Sequence, residues 1–275
     1  MFIDFHTHQF PDNIAPKAMG ALLSNMGMFG TNHTDGTLGG LKDSMKESGI
    51  DMAIIQPVVT KPSQFDHINQ TAYEINQRET SVVSYGGIHP DCDDVYNKLK
   101  YIKSLGIRGI KMHPEYQGAF IDDKRYINII GHAVELGLNV MLHAGGDWIC
   151  PAGVYRCVPD RILNVLREIY GNKMPERRRI FLAHLGSFGM WHEVEEKLID
   201  CPAVFDTSQT VGNIEHDHMI RIIRGHGAEN IVFATDSPWN PHKLYVEDFN
   251  SLALTDEEKR LISHENALRL NDYFK

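Results

Sequence analysis

Residues 2–8 of this chain read FIDFHTH, a short apolar run that ends in two histidines, and the recurrence of this pattern indicates the fold. A run of this length and composition is typical of a strand buried on both faces, as a parallel sheet requires. Seven more runs of similar character follow. The eight predicted strands are Phe2–Phe5, Met52–Gln56, Val82–Ile88, Ile107–Met112, Asn139–Leu142, Arg179–Ala183, Ala203–Phe205 and Asn230–Ala234.

The spacing of these strands predicts how they are connected. Strand ends recur roughly every 33 residues, about the length of a strand, a crossover helix and two loops. Amphipathic stretches with helix signals lie between them, as at Asp93–Leu105 and in the capping box that begins at Thr255. A chain of 275 residues is about as long as one α/β barrel. We therefore predict an α/β fold, a (β/α)8 TIM barrel that forms a single domain over residues 1–275.

An open, doubly wound sheet is the alternative architecture, but it normally carries a glycine-rich first turn, and residues 6–11, HTHQFP, contain no glycine. Two connections between predicted strands are longer than in the other βα units, from Thr7 to about Met52 and from Ala144 to about Arg179. Both would emerge at the C-terminal face of a barrel, and we predict that they form a lid and pocket walls. Large apolar residues on the mouth loops line the pocket or pack the lid against the barrel. They are Phe10, Met28, Trp148, Tyr155 and Trp239.

Composition limits the partners of the protein. The formal net charge of -9 disfavours a nucleic-acid partner, because that affinity depends on clustered lysine and arginine. No apolar run reaches the roughly 18 residues of a membrane span, and the first residues lack a secretory signal. The cysteines form no C-x-x-C pair and are predicted to be free and buried. They are Cys92, Cys150, Cys157 and Cys201. We expect a cytoplasmic protein, with a homodimer as the default assembly.

The 15 histidines make a His-x-His pair weak support by itself, since chance alone supplies about one such pair. A second pair, His216 and His218, lies well past its strand and is predicted to be at the surface. His6 and His8 differ because they close the first predicted strand, where a spacing of two points both imidazoles to the same side. Two donors on one rigid strand end suit a metal ion.

Other predicted strands also end in side chains that bind metals. Histidines follow the third, fourth, fifth and sixth strands, and an aspartate closes the eighth. These residues are His89, His113, His143, His184 and Asp236. In a barrel the carboxyl ends of all strands meet at one mouth. A zinc-like ion takes three or four donors, and imidazole with carboxylate is a suitable set, so we predict a metal centre at that mouth.

Several motifs, in this order, resemble the amidohydrolase family over nearly the whole chain. They are residues 4–8 (DFHTH), 109–114 (GIKMHP), 142–145 (LHAG), 182–186 (LAHLG), 205–208 (FDTS), 234–239 (ATDSPW) and 266–267 (NA). The resemblance implies four metal ligands, which are His6, His8, His143 and Asp236. It also implies that Asp236 acts as a general base and that His184 faces the substrate or holds a second metal.

The resemblance leaves the number of metal ions open at Lys111, because some members of the superfamily carbamylate this lysine to bridge two metals. We predict one divalent ion, Zn2+, with an unmodified Lys111, and two ions bridged by a carbamate are the alternative. Lys111 and His113 are therefore candidates either to bridge two metal ions or to contact and orient the metal ligands without binding a metal themselves.

Hydrolysis of a small organic substrate is the predicted reaction. A bound metal ion lowers the pKa of its water toward about 7. Asp236 would take the proton of this water as hydroxide attacks the C–N or C–O bond of an amide, lactone or ester, and His184 would stabilise the oxyanion.

The main alternative is a metal-dependent, non-oxidative decarboxylase of a small unsaturated or aromatic acid, because relatives with the same strand-end residues cleave C–C bonds. Arg156 would then clamp a carboxylate, and Trp239 would contact the substrate. A phosphoesterase with a multinuclear metal site is less favoured, because that class ends in Asp-x-His and Asp236 is followed by Ser237 and Pro238. A purely structural metal is disfavoured because a barrel of this size has sufficient core.

Overall fold

The computed structural model describes residues 1–27, 30–147, 154–271 and 273. Its strands are β1 (Ile3–Thr7), β2 (Met52–Ile55), β3 (Val82–Ser84), β4 (Gly86–Gly87), β5 (Gly109–Met112), β6 (Asn139–Leu142), β7 (Ile180–Leu182), β8 (Val204–Asp206) and β9 (Ile231–Val232). Its α-helices are α1 (Ala15–Met26), α2 (Leu38–Ser48), α3 (Phe65–Arg78), α4 (Val95–Ser104), α5 (Pro114–Gln117), α6 (Lys124–Glu135), α7 (Pro159–Tyr170), α8 (Trp191–Lys197), α9 (His216–His226), α10 (His242–Ser251), α11 (Asp256–Arg260) and α12 (Asn266–Leu270).

The strands form a closed parallel barrel. They pair in chain order, as β1-β2-β3 and as β4 through β9. β3 and β4 are two parts of one barrel strand on either side of Tyr85. The ring closes where Phe5 N donates to Phe233 O over 2.9 Å and Thr7 bridges Ser237 in parallel. The structure is therefore the predicted (β/α)8 TIM barrel.

Each predicted strand overlaps an observed one, and the differences lie at strand ends. The run Val82–Ile88 is divided into β3 and β4, and Asn230–Ala234 contains the shorter β9. The predicted helix Asp93–Leu105 contains α4. The capping box before α11 is confirmed, because Thr255 Oγ1 accepts from Glu258 N over 3.1 Å while the Glu258 carboxylate accepts from Thr255 N over 2.7 Å.

Apolar side chains fill the barrel below its C-terminal mouth. Phe5 stacks on Phe181 with ring centroids 4.8 Å apart. Leu270 of α12 belongs to the same buried cluster, and its carbonyl accepts from Asn139 Nδ2 at the start of β6 over 3.0 Å. The N-terminal end of the barrel is therefore packed, so a cavity can open only toward the carboxyl ends of the strands.

The long connections carry helices. The first contains α1 and α2, and the described part of the second contains α7. Cys92, Cys157 and Cys201 are free and buried, as predicted. Met28, Trp148 and Cys150, which also carried predictions, lie outside the described residues. None of the described helices combines the length and the apolar character that crossing a bilayer needs.

Candidate metal centre

Three predicted ligands, His6, His8 and Asp236, come together at the C-terminal mouth of the barrel. His8 Nε2 lies 3.0 Å and His6 Nε2 lies 3.5 Å from Asp236 Oδ1. One donor atom of each residue lies within 4.8 Å of the other two. Two imidazole nitrogens and a carboxylate oxygen at this separation fit a divalent ion of the zinc type.

A register shift in β1 directs His6 toward the mouth. Ile3 and Phe5 belong to the cluster inside the barrel, so strict alternation would turn His6 away from the barrel axis. The pairing of β1 with β2 shifts between Asp4 and Thr7. Such a shift re-aims the following side chains, and His6 and His8 both line the cavity with ring centroids 5.0 Å apart.

Asp206, at the end of β8, fixes the ring of His6. Its Oδ2 lies 2.9 Å from His6 Nδ1, which leaves His6 Nε2 directed at the metal position. Burial alone would raise the pKa of Asp206, but His6 and the hydrogen bonds from His6 and Ser208 hold this pKa at about 2. A carboxylate behind a ligating histidine fixes its tautomer and raises its basicity. Asp206 had no predicted role, although it closes the seventh predicted strand as Asp236 closes the eighth.

Asp236 is held from two sides. Gln209 Nε2 donates to Asp236 Oδ2 over 2.8 Å, and Asp236 N donates to His6 O over 2.8 Å. These contacts maintain a φ of +65°, which is uncommon outside glycine. Burial would raise the pKa of this carboxyl, but the neighbouring His6 and His8 hold it well below its usual value. Asp236 is therefore ionised at neutral pH.

Lys111 lies directly beside this group. Its Nζ is 2.9 Å from His6 Nε2, and the side chain is buried. Burial lowers the pKa of Lys111 to about 8, against the attraction of Asp236 and Asp206. A substantial fraction of the amine is thus uncharged under mildly alkaline conditions, and an uncharged amine does not repel a neighbouring metal ion.

His143 and His184, also predicted site residues, contact each other. His184 Nε2 lies 3.0 Å from His143 Nδ1, and His184 Nδ1 lies 2.8 Å from Ser208 Oγ. Burial lowers the pKa of His184 to about 4, so its imidazole is neutral. Among the described residues, His143 does not belong to the group of His6, His8 and Asp236, and its role as a metal ligand stays a prediction.

His143 instead shares a second donor group with His113 and Asp147. The two imidazoles stack with centroids 4.0 Å apart, and His113 Nε2 lies 3.3 Å from Asp147 Oδ2. Burial lowers the pKa of both histidines well below its ordinary value. Sequence reasoning missed Asp147, which follows the strand-end His143 by four residues on the long connection after β6.

Arg156 and Trp239, the predicted substrate contacts, have different positions. Arg156 Nη1 lies 2.6 Å from the buried Glu115 Oε2, and Arg156 is not among the described residues that line the cavity. Trp239 and Phe10 do line it, whereas Tyr155 does not. The Arg156 guanidinium pairs with Glu115 outside the described lining of the cavity, and its role as a carboxylate clamp stays a prediction.

The donor groups lie at one end of a cavity of ≈ 370 Å³. Lys111 is the sole lysine or arginine among its described lining residues, and Asp147 and Asp236 are the acidic ones. The remaining wall is mainly apolar and comes from the loops after β1 and β2, from α1 and α3, and from Tyr116, Phe188 and Trp239. A small organic anion could be bound with its charge at the donor end and its apolar part in the rest of the cavity.

Comparisons with known proteins agree with this fold. A family model described as Amidohydrolase matches residues 3–271. No curated protein matches the sequence significantly. Similar solved structures include 2,6-dihydroxybenzoate decarboxylase from Rhizobium (TM-score 0.72, 16% identity, 98% of both chains) and 5-carboxyvanillate decarboxylase from Sphingomonas paucimobilis (0.68, 14%, 98% of both). Another is a dihydroxybenzoic acid decarboxylase from Polaromonas sp. JS666 with bound manganese (0.70, 14%, 98% of this chain and 96% of that one).

These neighbours contradict the prediction of a hydrolase, since the solved structures above are all decarboxylases. The prediction was wrong because it rested on the strand-end donors, and the family resemblance implies that decarboxylases share these donors. The strand ends specify a metal centre without specifying which bond breaks. Zinc also stays a prediction, because the neighbour from Polaromonas holds manganese.

Proposed function

This chain belongs to the amidohydrolase family, and on that premise we propose that it is a metal-dependent decarboxylase of a small unsaturated or aromatic acid. The observation that carries the proposal is the position of His6, His8 and Asp236 at the closed end of a largely apolar cavity. An acid bound there has its carboxylate beside the metal position and Lys111, and its carbon skeleton against apolar walls.

His6, His8 and Asp236 would hold one divalent ion, zinc or manganese. When bound, such an ion acts as a Lewis acid that polarises oxygen atoms of the substrate. Asp206 orients His6, and Gln209 orients Asp236. The group of His113, His143 and Asp147 is the alternative position for a second ion. A cytoplasmic location and a homodimer remain predictions from the sequence.

Decarboxylation requires one proton from the protein or solvent. The C–C bond to the carboxyl group breaks, carbon dioxide leaves, and the electron pair stays on the substrate carbon. That carbon then takes up a proton to give the neutral product. The general acid must therefore lie inside the cavity and must release its proton readily.

The His143–His184 pair is suited to deliver this proton. Four contacts form a continuous row. Asp206 Oδ1 contacts Ser208 Oγ, and Ser208 Oγ contacts His184 Nδ1. His184 Nε2 contacts His143 Nδ1, and His143 Nε2 contacts Gly146 O. The Ser208 hydroxyl and the neutral imidazoles of His184 and His143 carry one proton each, so three protons are shared among four contacts. The two ends of the row, the Asp206 carboxylate and the Gly146 carbonyl, can only accept. The row can therefore take up one more proton. Because the pKa of His184 is lowered to about 4, the row carries no extra proton at rest, and a proton taken up from solvent as the C–C bond breaks would pass through His184 to the substrate carbon.

The test measures carbon dioxide release and metal content for the native protein and four variants, with a panel of hydroxybenzoic and unsaturated acids. We expect His6→Ala and Asp236→Asn to lose bound metal and at least 100-fold in turnover, since ligand loss removes the centre itself. His184→Asn should keep the metal but lose turnover. His216→Ala changes an exposed histidine that pairs with Asp248 and should behave as the native protein does.

Two results would contradict the proposal. One is full turnover in folded His6→Ala and Asp236→Asn proteins. The other is a native protein with metal bound that releases carbon dioxide from no acid of the panel. Retained turnover in His184→Asn would remove only the proton-delivery step.

A further inference from the structure

The cavity continues from the metal centre as a groove between α1 and α3. The side chains at and along α1 that line it recur every fourth residue, which places them on one face of the helix. They are Ile14, Ala18, Leu22 and Met26. At a rise of 1.5 Å per residue this row is about 18 Å long. The groove is therefore far longer than a single aromatic ring.

The opposite wall is a matching row on α3. The α3 residues that line the cavity are aliphatic or hydroxyl side chains and one histidine, and they are His67, Ile68, Thr71, Ala72 and Ile75. No lysine, arginine, aspartate or glutamate of α1 or α3 lines the cavity, within the described residues. All the charged lining side chains belong to the donor end, namely Lys111, Asp147 and Asp236. The cavity is thus charged at the donor end, and along its length it is lined mainly by apolar side chains, with His67 and Thr71 as the polar residues of α3.

Helix α1 is placed over the cavity and not packed into the core. Of its residues only Ala15 and Met19 are buried. Ala18, Leu22 and Met26 are half-buried, with their apolar surface turned to the groove. Contiguous apolar surface of this kind marks a site for an apolar ligand or partner. Continuity with the metal centre favours a ligand that occupies both parts at once.

We propose that this groove binds an elongated apolar tail of the substrate, so that the substrate class is a monocarboxylic acid with its carboxylate at the donor end and its tail between α1 and α3. The inference rests on the proposed function for the position of the carboxylate. A compact ring acid would leave the half-buried row on α1 uncovered, namely Ala18, Leu22 and Met26. A second carboxylate on the tail would meet no lysine or arginine of α1 or α3 among the described lining residues.

The test measures binding, not turnover. Isothermal titration of the manganese-loaded protein with straight-chain alkanoic acids from butanoate to decanoate should show affinity rising by up to about fourfold for each added methylene, the free energy of burying one CH₂ group. Leu22→Glu places a charge in the groove and should abolish this rise while leaving butanoate binding unchanged. Leu23→Glu, on the same helix but not lining the cavity, should retain the rise.

A second variant covers the case in which Leu22→Glu does not fold. Ala18→Leu adds volume to the groove and should lower the affinity for decanoate at least tenfold, with butanoate affected less than twofold. The proposal is overturned if native affinity is independent of chain length, or if folded Leu22→Glu and Ala18→Leu give the native series. It is also overturned if Leu22→Glu alters the molar mass in light scattering but not acid binding, since the face would then join two copies of the chain.

The two proposals fail separately. If no acid releases carbon dioxide but the chain-length series holds, the groove stands and the decarboxylase proposal falls. If short acids are decarboxylated but affinity does not depend on chain length, the decarboxylase proposal is supported and the groove proposal is overturned.

Discussion

At the scale of single residues, Asp206 determines which nitrogen of His6 faces the metal position. The contact of 2.9 Å with Nδ1 joins residues 200 positions apart in the sequence. Because the carboxylate is an acceptor only, His6 must carry its proton on Nδ1 and present the lone pair of Nε2 to the cavity.

Substitution Asp206→Asn should weaken metal binding about 10- to 100-fold, because an amide can donate to Nδ1 and so favour the wrong tautomer of His6. Competition with a chromophoric chelator measures the affinity. Asp248→Asn is the matched control, since Asp248 pairs with the exposed His216 and should leave affinity unchanged. A folded Asp206→Asn protein with native metal affinity would show that Asp206 does not orient the ligand.

The two His-x-His pairs show how little a residue pattern says without its position. His6 and His8 line the cavity beside Asp236. In the second pair, His216 is largely exposed and binds Asp248 over 2.9 Å, while His218 lies 3.0 Å from Glu195 on the outer helices. The two pairs have the same sequence pattern, but only the pair at the end of a barrel strand lies in the cavity.

At the scale of elements, the segment after β6 depends on close backbone approach at Gly145. Gly145 has a φ of +93°, and a Cβ built there would lie 2.1 Å from Phe188 N. Its own N donates to Cys157 O over 2.8 Å, and Phe188 N donates to Ala144 O over 2.9 Å. These bonds hold the start of the connection that carries Asp147 toward His113.

Gly145→Ala should destabilise the protein by about 1–3 kcal/mol, from the strained φ and the displaced backbone of Phe188. Urea unfolding measures the change. Gly146→Ala is the neighbouring control for stability, because its Cβ would find nothing closer than 3.4 Å and its φ is ordinary. Equal stability of the two variants would show that the segment adjusts without cost.

At the scale of the whole molecule, buried neutral histidines link stability to pH. His226, far from the metal centre, stacks on Phe205 with centroids 3.9 Å apart, and its Nε2 lies 3.1 Å from Ala203 O. Burial, with the nearby Arg178, lowers the pKa of His226 to about 4. Between that value and the ordinary 6.5, the unfolded chain binds a proton that the folded chain does not.

The free energy of unfolding should therefore fall as the pH drops from 6.5 to about 4, by about 1.4 kcal/mol per pH unit for each such histidine. The stability that depends on neutral His226 is fully present above pH 6.5. In His226→Gln the dependence of the unfolding free energy on pH should be weaker by the contribution of one proton, about 1.4 kcal/mol per pH unit. His216→Gln, which changes an exposed histidine, should keep the native dependence. Urea unfolding at stepped pH checks this, and an unchanged slope in His226→Gln would refute it.

The sequence by itself determined the barrel and the strand-end positions of the donors. Short apolar runs such as Asn139–Leu142, repeated at the length of a βα unit, indicate a parallel sheet because helices on both sides of such a sheet bury both faces of its strands. The mouth position of His6 and Asp236 follows, since each lies at or just beyond the carboxyl end of a predicted strand. These features depend on residues close together in the chain.

Only the tertiary structure decided which donors share a volume and what surrounds them. His143 ends a strand as His6 does, but it contacts His184 and Asp147, while Asp206 and not a neighbour in sequence orients His6. The groove between α1 and α3 likewise exists only where two helices distant in sequence face one cavity. Such distances depend on packing and register across the whole barrel, and no local pattern records them.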